Sequence, residues 1–75
     1  MREDEKKLLQ DTFSSVRAYL VYPHDLWASI EELERKTQDL QTFMSEFKRA
    51  VSDESDSSRK TDGQIFLNEL KKRLS

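Results

Sequence analysis

LWASIEELERKTQDLQTFMSEFKRAV, running from Leu26 to Val51, decides the fold of this chain. Within it Leu26, Ile30, Leu33, Thr37, Leu40, Met44, Phe47 and Val51 follow one another at alternating spacings of four and three. On a helix of 3.6 residues per turn that rhythm places all eight on one face, and such a face needs a covering partner. The spacing therefore predicts one long helix over 25–51, roughly 39 Å from Leu26 to Val51. Branched residues alternate with leucine along the seam, as in a two-stranded coiled coil. Trp27 and Phe43 widen the stripe on both shoulders, however, and a stripe of that width suits a helix with two neighbours.

The flanking segments supply those neighbours. Upstream, Leu9, Phe13, Val16 and Leu20 repeat at helical spacing, with Glu3, Asp4 and Glu5 at the positive end of the helix dipole. Pro23 ends this element, giving a first helix over about 3–22. Pro23-His24-Asp25 reads as a tight joint in which Asp25 caps the next helix. Downstream, Ser52 to Lys60 is polar and lacks an apolar anchor, so 52–61 is expected to be a mobile loop. Thr61-Asp62-Gly63-Gln64 has the form of a capping box and predicts a third helix over 62–74. Its apolar face is Phe66, Leu67, Leu70 and Leu74, and Ile65 falls off that stripe.

Composition agrees with an all-α chain. Its 75 residues contain one glycine and one proline, and no segment alternates with the period of a strand. The expected architecture is a three-helix assembly, a single small helical domain spanning 1–75 in which the first helix packs antiparallel on the second and the third returns over the Phe43 end. The alternative is a dimer of helical hairpins. Cysteine is absent, which excludes disulfides and thiolate metal sites. A chain this short must therefore rely on helix packing or on association. No apolar run approaches a membrane span. Met1-Arg2-Glu3-Asp4-Glu5 has no signal-peptide core, so an intracellular, cytoplasmic location is expected.

Catalytic chemistry finds few residues to use. His24, the one histidine, sits in the joint without a second ligand at metal spacing. No serine has a nucleophile-elbow context, and Gly63 cannot by itself form a phosphate loop. No cofactor and no catalytic activity are expected. Net charge is −2, with ten acids against six bases up to Phe47 and five against seven from Lys48 onward. Lys48, Arg49, Arg59, Lys60, Lys71, Lys72 and Arg73 form that basic part, but acids interleave with them, so nucleic acid is a poor fit.

Protein binding is the function the residues favour: an adaptor, a small subunit or an inhibitor of a larger protein. Tyr19, Tyr22 and Trp27 gather around the first joint, where aromatic side chains would anchor an interface with little rotamer freedom to lose. Glu31, Glu32 and Glu34 begin an acidic face, continued by Asp39 and Glu46, that would suit a basic partner site; Ile65 is a further contact candidate. The competing reading is a homodimeric regulator whose basic C-terminal part contacts nucleic acid.

Overall fold

The computed structural model describes all 75 residues and contains four helices and no strand. They are α1 (Glu3–Val16), α2 (Pro23–Lys36), α3 (Leu40–Asp53) and α4 (Ser57–Leu74), with a short 3₁₀ turn over Arg17–Tyr19. The all-α class is as the sequence predicts. The number of helices is not three, and each difference has a local cause.

The long helix expected over 25–51 is two helices. Thr37 is extended, and Asp39 is the N-cap of α3, its carboxylate accepting from Thr42 N–H at 2.7 Å. Thr37 Oγ1 donates to the Leu33 carbonyl at 2.8 Å, satisfying one acceptor that the end of α2 leaves free. Glu5 completes the junction from a distance: one oxygen accepts from Leu40 N–H at 3.3 Å and the other from Arg2 N–H at 3.2 Å. One carboxylate thus serves the N-terminal ends of both α1 and α3, where the helix dipole favours negative charge. Asp39 and Thr37 were the readable warning, since a short polar side chain caps a helix better than it continues one. The protein's longest dimension is 31 Å, shorter than the roughly 39 Å of an unbroken 26-residue helix. Breaking the helix lets both halves cover one core.

The seam nevertheless lines that core. Ile30, Thr37, Leu40 and Phe47 are buried, and Leu26, Leu33, Met44 and Val51 are half-buried. Phe43 and Phe47 stack at 5.6 Å, and Phe47 meets Phe66 of α4 edge-on at 5.3 Å. Leu9 and Val16 are buried from α1.

The segment 52–61 is mostly helix rather than a mobile loop. Asp56 caps α4 by accepting from Arg59 N–H at 2.9 Å, which leaves only Glu54-Ser55-Asp56 as a connection. Thr61 lies inside α4 and donates to the Ser57 carbonyl at 2.9 Å, so the Thr61–Gln64 capping box is not used. The first joint differs as well. The α-helical part of α1 ends at Val16, Tyr22 is the N-cap of α2, and Pro23 is its first residue, where a missing N–H costs nothing. Asp25 does not cap α2; it pairs with Arg59 Nη2 at 2.8 Å.

α4 packs on each of the other three helices, most extensively on α1. The expected close pairing of the first helix with the second is therefore replaced by packing on α4. Phe66 and Leu70 supply its fully buried apolar contacts, and Asp62 and Gly63 are buried beside them. Gly63 allows the closest approach: a Cβ there would lie 2.6 Å from Val51 Cγ2 of α3. Val51 is β-branched and stiff, so it cannot swing clear.

Two outcomes follow. Gly63→Ala gains up to about 1 kcal/mol of helix propensity but loses about 1–3 kcal/mol to overpacking, so urea unfolding should show a net loss. Val51→Ala in the same chain should recover part of it. The Asp39 carboxyl is held below the usual aspartate range, first by the Thr42 backbone N–H and then by the Thr42 side chain. A depressed folded-state value stabilises the protein above the ordinary aspartate value, near pH 4, and this is lost as pH falls through the lower one. Asp39→Ala should lower the melting temperature at neutral pH and flatten that acid-side fall.

Candidate functional site

Exposed large apolar side chains concentrate in the joint between α1 and α2. Tyr19 is 74% exposed, Val21 59% and Tyr22 39%; outside this segment Leu74 is the one further example. After the 3₁₀ turn the chain becomes extended at Leu20, and alternation along extended backbone explains the pattern. Leu20 packs toward the core while Tyr19 and Val21 face water.

The segment is fixed from beneath by Asp62 of α4, which is 1% exposed. One carboxylate oxygen accepts from Val21 N–H at 2.9 Å and the other from Tyr22 N–H at 2.7 Å. These amides stand at the N-terminal end of α2, so the buried charge meets both donors and a favourable dipole. A second tie lies above it. The Arg59 guanidinium sits 4.6 Å from the Tyr22 ring centroid and bonds Asp25, and that hydrogen bond raises the already high pKa of Arg59 further. The joint is built to hold its shape.

Beside it a cleft of about 390 Å³ opens between α1 and α2, lined by Gln10, Phe13, Ser14, Arg17, Pro23, His24 and Trp27. Its aromatic part is the Phe13–Trp27 pair, with centroids 4.9 Å apart and planes tilted by 44°. Arg17 and His24 are exposed, no carboxylate lines the cleft, and Arg17 joins none of the protein's ion pairs. An aromatic surface beside a free guanidinium can take an apolar side chain next to a carboxylate.

Of the residues selected from sequence, Tyr19, Tyr22 and Trp27 come together here, with Trp27 half-buried against the core. Glu31, Glu32 and Glu34 lie on α2, apart from this cleft; Glu32 pairs with Lys36 at 3.1 Å and Glu34 is half-buried. Asp39 caps α3 beyond the helix break, and Glu46 lies within α3, so no single helix carries the acidic face. Ile65 is half-buried and packs against the core. Sequence reasoning missed Asp62, Phe13 and Arg17 as parts of the site. Asp62 had a readable signal: with Phe66 and Leu70 it forms an i, i+4, i+8 series on the apolar face of α4. No group of three or more His, Cys, Asp or Glu side chains is arranged to hold a metal ion, and no helix is long and apolar enough to cross a membrane.

The fold and this site define a small all-α protein that presents a fixed aromatic surface. No protein-family model, no curated protein and no solved structure matches the chain.

Asp62→Asn keeps the shape but leaves one amide facing an NH₂ donor, at a cost of about 1–3 kcal/mol. Hydrogen exchange should accelerate most at Val21 and Tyr22. Uniform acceleration across all four helices would show that Asp62 holds the whole fold rather than this joint.

Proposed function

We propose that the protein is a non-enzymatic protein-binding module, acting as an adaptor, small subunit or inhibitor of a larger protein through the α1–α2 end. The carrying observation is the exposed Tyr19–Tyr22 segment held from beneath by buried Asp62. Apolar side chains in water gain from being covered, and a pre-ordered backbone loses little freedom when that happens. Tyrosine brings large area with few rotatable bonds, which is why it anchors interfaces. The neighbouring cleft supplies depth for one side chain and a cation for one carboxylate, so the partner segment carries an aromatic or aliphatic residue beside Asp or Glu.

Two features weigh against the homodimeric regulator. The seam that suggested a dimer covers the core of its own chain. Within the basic part, Arg59 and Arg73 are also engaged by Asp25 and Glu69.

The test is affinity capture with wild-type and Tyr19→Ala/Arg17→Glu baits, after circular dichroism has shown equal helicity. Both side chains are exposed, so the fold should survive and capture of a stoichiometric partner should drop by about tenfold or more. Equal capture by both baits would overturn this site. Light scattering near 16–20 kDa instead of the 8.9 kDa monomer would return the self-associating reading.

A further inference from the structure

A second concave surface has a different chemistry. Between α3 and α4 a cleft of about 330 Å³ is lined by Lys48 and Lys60, Gln64 and Asn68, and Lys71, with Ser52 at its edge and Val51 and Leu67 as its apolar part. No acid lines it, although the chain has more acids than bases. None of the three lysines belongs to an ion pair, a state they share with Lys7, Arg17, Arg35, Arg49 and Lys72; what sets them apart is that they line one cleft together. The nearest acceptor that any of them finds is the Ser52 carbonyl, 3.4 Å from Lys60 Nζ.

The spacing has a shape. Lys60, Gln64, Asn68 and Lys71 share one face of α4, and the end-to-end rise is about 16 Å. Lys48 faces them from α3. Cations at the ends of a stripe with two amides between them match an extended chain of anionic side chains, whose backbone the amides can bond. Single-stranded nucleic acid would need an aromatic stacking platform, and the cleft has none.

We propose that the α3–α4 cleft receives an extended acidic segment of a partner protein. Only the choice of a protein as ligand rests on the docking function; the two surfaces share no residue, so each fails separately.

The experiment is a chemical-shift titration of the ¹⁵N-labelled full chain with a short oligoglutamate peptide, and separately with a single-stranded oligothymidylate. Oligoglutamate should shift the amides of Lys48, Ser52, Gln64, Asn68 and Lys71 in a saturable, salt-sensitive way. Lys60→Gln/Lys71→Gln should weaken it by about fivefold, while the charge-matched Lys7→Gln/Lys36→Gln should not. Shifts spread over the surface, equal weakening by both double variants, the absence of saturable binding, or tighter binding of oligothymidylate would each overturn the assignment.

Discussion

The structure depends on one buried carboxylate. Asp62 is buried in the second turn of α4, where an unpaired charge would cost several kcal/mol. It is tolerable because Val21 and Tyr22 turn their N–H groups onto it. Those amides can do so only if the chain leaves α1 before Leu20 and starts α2 at Pro23. The next residue, Gly63, sets how closely α3 approaches α4 through Val51. Two adjacent residues thus place α2 and α3 around the same point of α4, while α1 is held by its own packing on α4, the most extensive in the fold.

A second constraint is size. With 75 residues and no disulfide, the chain cannot spare apolar surface on a helix that overruns its partners. Splitting the seam at Thr37–Asp39 forfeits several backbone hydrogen bonds, and Asp39, Thr37 and Glu5 replace them with side-chain partners. No buried side-chain nitrogen or oxygen is left without a partner. Polar satisfaction and burial are reached together, which suits a core of only nine buried apolar residues.

What the fold leaves exposed then acquires meaning. A small protein that buries Ile30, Leu40 and Phe47 so thoroughly still keeps Tyr19 and Val21 in water, on backbone held from below. It also leaves three lysines without carboxylates in a cleft, although acids outnumber bases.

Periodicity along the chain determined the all-α class and the inward faces: Leu9 and Val16, Ile30 and Leu40, Phe47, Phe66 and Leu70 are where the spacings put them. It also picked out Tyr19, Tyr22 and Trp27 as neighbours of the joint, because their clustering is local in sequence. Helix ends and partnerships were less legible. A heptad rhythm runs through Thr37 unchanged whether or not the helix does, since a short capped break can return the chain to the same face. Whether Asp39 continues a helix or caps one depends on Glu5, 34 residues earlier, being there to take the Leu40 amide. Whether Asp62 starts α4 or lies buried within it depends on two amides forty residues away. The sequence by itself determined most of the apolar residues that face inward, because that follows from local spacing. Leu74, expected on the same face, is exposed, and spacing alone did not establish that Asp62 is buried. Only the tertiary structure decided where helices stop and which carboxylate serves which backbone, because those hydrogen bonds join residues that meet only after the chain has packed.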